Sequence, residues 1–102
     1  MQLDFVLPDH GGRCVSSVVP AVLSGWSNAI VPQDVVDAKA VVLLVIDGLG
    51  WHQLERYAAE VPTLAAAPRE CITTVAPSTT ATALTSITTG TARGEHGVVG
   101  YR

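Results

Sequence analysis

The pattern of hydrophobic and polar positions changes near residue 40 of the chain. Residues 1–39 are weakly patterned, because prolines and glycines interrupt them repeatedly. Within this stretch, apolar residues over 18–23 predict one short helix, and Pro32 followed by Asp34 predicts a turn or a helix start. We interpret residues 1–39 as a lead-in segment that packs against the rest of the protein and carries no recognisable chemistry.

The clearest signal is the uninterrupted apolar run 41–46, which is rich in β-branched residues. A strand with one solvated face would alternate, so this run predicts a strand buried on both faces, as in a parallel sheet. After the turn 47–50, apolar residues recur at helical spacing from Trp51 to Val61, and Pro62 predicts the end of that helix. Strand, glycine turn and helix together predict a βα unit.

A second apolar segment, residues 71–75, predicts another strand before the sequence Pro77-Ser78-Thr79-Thr80. Residues 81–89 are ambiguous, because threonine favours strands whereas one apolar face recurs at helical spacing: Ala83, Leu84 and Ile87. We favour a helix with an N-cap hydroxyl among residues 78–80 and a C-terminal glycine at Gly90. Residues 91–102 predict a loop punctuated by glycine.

Composition excludes several classes of protein. A chain of 102 residues with 48% hydrophobic and 15% charged residues is not a disordered tail. The net charge of -3 and the pI near 5.4 argue against a surface for nucleic acid. The sequence shows neither a secretory signal nor a membrane span, and its two cysteines have no metal-type spacing, so we expect a cytoplasmic protein with buried, reduced cysteines.

Asp47 is the first candidate for chemistry, because it follows the predicted strand and precedes two glycines. Ligands collect beyond the carboxyl ends of strands in open α/β sheets, where a carboxylate can hold a cation. Asp-Gly is also a common turn dipeptide, so Asp47 alone equally fits a turn residue that caps the next helix.

The hydroxyls of residues 78–80 are the second candidate. A hydroxyl at a helix N-terminus lies where N–H groups and the helix dipole favour a phosphate group, but it needs a base or a metal to become nucleophilic. Plain N-capping is the alternative. An aspartate after one strand and a hydroxyl after the next can bind a single metal, so the pair predicts more than either residue does.

Three blocks of sequence carry a family resemblance: VVLLVIDGLG, APSTTATALTSITTG and GEHGVVG. In this order they resemble the N-terminal third of the alkaline phosphatase superfamily, and especially its nucleotide pyrophosphatase/phosphodiesterase branch. The resemblance implies an α/β fold, with a mainly parallel sheet flanked by helices. It also implies that residues 40–102 are the N-terminal part of a catalytic domain whose remainder is missing here.

The resemblance further implies hydrolysis of phosphate esters, namely phosphodiesters, nucleotide pyrophosphates or phosphomonoesters, with a nucleotide-like small molecule as substrate. By position, Asp47 matches a metal ligand, and Thr80 matches both the nucleophile and a ligand of the same metal. Thr79 takes that role if the alignment shifts by one residue. The family usually binds two zinc ions, and His96 matches a position that is more structural than metal-binding.

Two departures from the family pattern affect the prediction. Tyr101 lies where the phosphodiesterase branch has an asparagine that contacts phosphate, and the later Asp and His ligands are absent. We therefore expect little or no hydrolysis by the 102-residue chain alone. The alternative is a non-catalytic binding or assembly fragment. The mutase and sulfatase branches fit less well, because the aligned residue is Thr and Cys71 lies outside any Cys-x-Pro-x-Arg run.

Overall fold

The computed structural model describes residues 5–24 and 30–100, and the chain divides into two units. One unit comprises Met1–Val41 with Ile72–Arg102, and the other comprises Val42–Cys71. The described α-helices, in chain order, are α1 (Val18–Ser24), α2 (Gln33–Val36), α3 (Trp51–Arg56), α4 (Pro62–Ala66), α5 (Thr80–Thr89) and α6 (Arg93–His96). Two 3-10 turns accompany them, Val15–Ser17 and Ala58–Glu60.

The predicted α/β fold with a mainly parallel sheet is wrong for the described residues, which are helical and form no sheet. Strand-like pairing there is limited to one parallel bridge between Cys14 and Thr73. In that bridge the Thr73 N–H donates to the Arg13 carbonyl at 2.8 Å, and the Val15 N–H donates to the Thr73 carbonyl at 2.9 Å. The segment predicted as the second strand therefore contacts the N-terminal region through Thr73, whose Oγ1 also accepts from the Asp9 N–H at 2.9 Å.

The run 41–46, predicted as a strand buried on both faces, has no regular secondary structure and is exposed throughout. Exposure is highest at Val42, at 92%. An apolar run indicates a preference for burial, but a strand also requires a neighbouring strand for its N–H and C=O groups. The described residues provide no such neighbour, so the pattern is present without the sheet.

The core of the larger unit is small and partly polar. Helix α5 packs against α1, α6 and the turn Val15–Ser17. The buried apolar residues of the described chain are Cys14, Ala21, Val31 and Val75, and the buried polar residues are Ser16, Thr82 and Ser86. Two of the three buried polar residues lie on α5, which makes this helix the element on which the unit is organised.

The prediction of a helix over residues 81–89 that ends at Gly90 is confirmed. Gly90 adopts the left-handed conformation with φ of +70°, and its N–H donates to the Ser86 carbonyl at 2.9 Å. A glycine carries no Cβ penalty in this region, which is why helices so often end at one.

The apolar face of α5, on which the helix prediction was based, is not its buried face. Leu84 is exposed, whereas Thr82 and Ser86 are fully buried. Small hydroxyl side chains can be buried when each finds a hydrogen-bond partner, and both of these do. Helical periodicity of apolar residues misses this case, because it assigns every polar residue to the solvent side.

The short N-terminal helices were predicted correctly, as α1 and α2. The region 91–102, predicted as loop, contains α6 among its described residues. Of the two cysteines, Cys14 is buried as predicted, but Cys71 is exposed, and neither forms a disulfide in the described structure. No helix in the described ranges combines the length and apolar character that crossing a bilayer demands.

In the unit Val42–Cys71, the helix predicted to run from Trp51 to Val61 is divided into α3 and a 3-10 turn. Pro62 begins α4 instead of ending a helix, because proline is well suited to a first helical position, where its missing N–H has no partner to lose. Arg69, which follows α4, contacts α3 at two residues. It forms an ion pair with Glu55 at 3.2 Å, and its guanidinium carbon lies 5.9 Å from the centroid of the Trp51 ring.

Gly90 provides a test of how α5 ends. In Gly90→Ala the new Cβ would meet the ring of Pro20 in α1, in addition to the strain of a positive φ. We expect about 1 to 2 kcal/mol of strain, plus roughly 1 to 3 kcal/mol from overpacking. Urea unfolding measures the sum.

The matched control is Gly97→Ala, since Gly97 also ends a helix with a φ of +77°, but a Cβ there would meet nothing within 4 Å. Equal losses of stability in the two variants would contradict the packing of α5 against Pro20.

Candidate functional site

Asp47 lies in the unit Val42–Cys71, at an exposed turn that joins the apolar run to α3. Gly48 follows with φ of +76°, and Gly50 precedes the first residue of α3 in extended conformation. The Leu54 N–H donates to the Gly50 carbonyl at 3.0 Å, which closes the first turn of the helix. The carboxylate of Asp47 is thus presented to solvent immediately before a helix.

Gly48 serves the conformation of this turn. A Cβ placed on it would meet nothing within 4 Å, so close approach of another group is not what requires glycine there. The positive φ is the requirement, since a residue with a side chain adopts it only at a cost.

The three threonines at the start of α5 have different surroundings. Thr79 is half-buried, and its hydroxyl donates to the Thr82 Oγ1 at 3.1 Å. Thr82 has no exposed surface. Thr80, the first residue of the helix, is exposed. The first turn therefore turns two hydroxyls inward and leaves Thr80 at the surface.

The predicted N-cap hydrogen bond is absent in the described structure. Thr79 occupies the N-cap position, and its carbonyl accepts from the Ala83 N–H at 2.8 Å, but its side chain caps no backbone N–H. Because its hydroxyl is bonded to Thr82 instead, plain N-capping does not account for the hydroxyl-rich sequence.

His96 lies at the end of α6 and connects two segments. Its Nδ1 accepts from the Val98 N–H at 3.0 Å, and its Nε2 lies 2.8 Å from the Ser86 Oγ. A ring nitrogen that accepts carries no proton, so neutral His96 is protonated on Nε2 and donates to Ser86. Both ring nitrogens are therefore engaged within the chain, which agrees with a structural position for this histidine.

Gly100 approaches the inward-facing hydroxyls of α5. A Cβ built on Gly100 would collide with the Oγ1 atoms of Thr79 and Thr82. Its φ of +86° is also positive. The backbone of residue 100 consequently lies directly over these two hydroxyls, where no side chain fits.

The described residues do not form a metal site by themselves. They contain no group of three or more His, Cys, Asp or Glu side chains placed to hold an ion. Zinc takes three or four protein ligands, and the predicted pair Asp47 and Thr80 supplies one carboxylate and one hydroxyl. This donor set holds zinc only weakly without further ligands.

A cleft of about 470 Å³ lies elsewhere in the larger unit, between the N-terminal segment and the region after α5. Its lining includes His10, Ser17, Pro20 and Glu95. Neither Asp47 nor any of the threonines at the start of α5 lines it, so this cleft is separate from the predicted chemistry. His10 and His52 are exposed.

Asp47 and the threonines at the start of α5 lie within a segment that matches a known protein family. The profile of the family described as type I phosphodiesterase/nucleotide pyrophosphatase matches residues 41–102. The chain belongs to this family. The match covers more than half of the 102 residues, and it includes the turn at Asp47 and all of α5. No curated protein and no solved structure matches the chain.

Membership in the type I phosphodiesterase family confirms the resemblance within the alkaline phosphatase superfamily. It places the chain in a family of hydrolases that act on phosphate esters and typically depend on metal. Sequence reasoning missed the contributions of Ser86 and Gly100. The spacing of Thr79, Thr82 and Ser86, three and four residues apart, was the available signal, because it places three small hydroxyls on one side of a helix.

Proposed function

We propose that this chain supplies Thr80 as the nucleophile, and Asp47 as a metal ligand, for hydrolysis of phosphate esters by a member of the type I phosphodiesterase family. The observation that carries the proposal is the sorting of hydroxyls at the start of α5. Thr79 and Thr82 face inward and bond to each other, whereas Thr80 is exposed at the first position of a ten-residue helix.

This sorting favours Thr80 over Thr79. The Thr79 hydroxyl donates to Thr82 and lies under the backbone of Gly100, so an attack on phosphorus would have to break that bond and displace the covering segment. Thr80, in contrast, is an exposed residue. The N–H groups and the dipole of α5 favour negative charge near its first residue, which suits a phosphate group and an ionised hydroxyl.

The proposed cofactor is a pair of divalent cations, zinc in the family pattern, with Asp47 and Thr80 among the ligands and the others supplied from outside the described residues. Such a cation supplies positive charge that favours the ionised form of a hydroxyl beside it. The residues of this chain would orient the hydroxyl and accept the phosphate group at the helix N-terminus.

The proposed substrate is a phosphodiester or a nucleotide pyrophosphate, with phosphomonoesters as the other possibility within the family. The acidic balance of the chain, with net charge -3, makes a nucleotide-sized molecule a better candidate than a nucleic-acid polymer.

Titration with zinc tests the proposed ligands. Asp47→Asn is expected to weaken zinc binding by about tenfold or more, and Thr80→Ala less, because a carboxylate is the stronger ligand for a cation. Isothermal titration calorimetry measures both. The control is Asp34→Asn, an exposed aspartate on α2; equal affinity in all four proteins would refute the assignment.

Turnover tests whether the two proposed ligands suffice. We expect the 102-residue chain to hydrolyse bis(nitrophenyl) phosphate hardly at all in the presence of zinc, because the described residues hold no complete metal site. Release of nitrophenolate measures the rate. Efficient hydrolysis that a chelator abolishes would show that the site is complete. Loss of that activity in Thr79→Ala but not in Thr80→Ala would identify Thr79 as the nucleophile in place of Thr80.

Self-association without catalysis is the second candidate function, favoured by the exposure of all six apolar side chains of the run 41–46. Unpaired strand-like segments of this kind promote pairing between chains. Under this reading Leu44→Lys, at a position 76% exposed, should convert an associating protein into a monomer in sedimentation velocity. Leu23→Lys, at an equally exposed position of α1, is the matched control. A monomeric unsubstituted chain would exclude the candidate.

A further inference from the structure

We infer that His96 is a positioning residue for the first turn of α5: through Ser86 it holds the segment 97–100 over that turn, so that Gly100 confines the Thr79 and Thr82 hydroxyls and leaves Thr80 as the exposed one. The relevance of this to catalysis rests on the proposed function, in which Thr80 is the nucleophile. The contacts themselves do not depend on it.

Two hydrogen bonds fix the tautomer of the neutral His96 ring. His96 uses Nδ1 as acceptor for the Val98 N–H and Nε2 as donor to the Ser86 Oγ. A neutral ring has one donor and one acceptor, and this arrangement satisfies both at once. Ser86 is fully buried, so an unpaired hydroxyl there would carry a desolvation penalty.

The path of the chain after His96 is restrained by two hydrogen bonds. Gly97 ends α6 in the left-handed region with φ of +77°, and its N–H donates to the Arg93 carbonyl at 2.8 Å. The hydrogen bond from the Val98 N–H to the ring then fixes the chain direction just beyond this turn. The hydrogen bonds of the Gly97 and Val98 N–H groups thus restrain the positions of residues 99 and 100.

Gly100 contacts the first turn of α5. Its backbone lies so close to Thr79 and Thr82 that a Cβ would collide with both hydroxyls. The Thr79 hydroxyl is therefore enclosed between its partner Thr82 and the covering backbone. Alternative χ1 rotamers of Thr79 would bring its hydroxyl or its methyl group into the same crowded space.

These contacts connect Ser86, in the second half of α5, with Thr79 at its start. Ser86 lies one helical turn beyond Thr82, and both are buried on the side of the helix that also carries Thr79. A hydrogen bond at Ser86 therefore controls a contact at Thr79 through the segment 97–100. Hydrogen bonds are directional, so this network specifies side-chain orientation in a way that apolar packing alone would not.

Nuclear magnetic resonance of the whole chain tests the inference without requiring activity. Long-range nitrogen–proton correlations are expected to show His96 protonated on Nε2 and unprotonated on Nδ1. Three-bond couplings are expected to show a single χ1 rotamer for Thr79. Protonation on Nδ1 in the neutral ring would overturn the inference, and this measurement needs no variant.

Gly100→Ala and Gly11→Ala form the matched pair of variants. Both glycines have a positive φ, +86° and +80°, but a Cβ at Gly11 meets nothing within 4 Å. Gly100→Ala should average the χ1 couplings of Thr79 and Thr82 and speed amide exchange at Ala83, in the first turn, by about tenfold. Equal effects of the two substitutions would overturn the role of the covering contact.

A second pair tests the role of His96 itself. His96→Gln retains a donor that can reach Ser86, whereas His96→Ala removes it. We expect averaged Thr79 and Thr82 couplings in His96→Ala and substantial recovery in His96→Gln; identical couplings in the two variants would refute the positioning role. Failure of the proposed function would appear separately, as zinc affinity that is unchanged by Asp47→Asn and Thr80→Ala.

Discussion

The burial of hydroxyl groups on α5 is the constraint on which the organisation of the larger unit depends. A buried hydroxyl without a partner costs free energy, so Thr82 and Ser86 can be enclosed only if each is hydrogen-bonded. Thr79 provides the partner for one and His96 provides it for the other. Because these bonds are directional, they determine which side of the helix faces inward, and that side excludes Thr80.

The apolar run 41–46 shows a second constraint that the described residues leave unmet. Its composition fits burial on both faces, yet all six side chains are exposed and the backbone forms no ladder. The family match begins at the first residue of this run, so the exposed segment is part of the sequence that identifies the family. Asp47, the proposed metal ligand, directly follows this run, so the conformation of the run affects where the proposed ligand lies.

Local features were predictable from the sequence, whereas pairing between distant segments was not. The helix 80–89, its end at Gly90 and the family itself follow from patterns within a few tens of residues. The sheet was wrong because an apolar run does not specify its neighbour. The burial of Thr82 and Ser86 was not predictable, because His96 and Gly100, which contact this side of α5, lie beyond the helix, where the periodicity of its own residues gives no information.

Metal binding by Asp47 and by Thr80 is the proposal on which the enzymatic interpretation depends, and paramagnetic broadening by Mn²⁺ is the measurement that tests it. Amide signals of the whole chain would be followed while substoichiometric Mn²⁺ is added. If each residue is a metal ligand, the signals of Asp47 and of Thr80 broaden, while that of Asp34 stays sharp. Broadening at only one of the two residues, or an equal response at Asp34, would contradict the proposal.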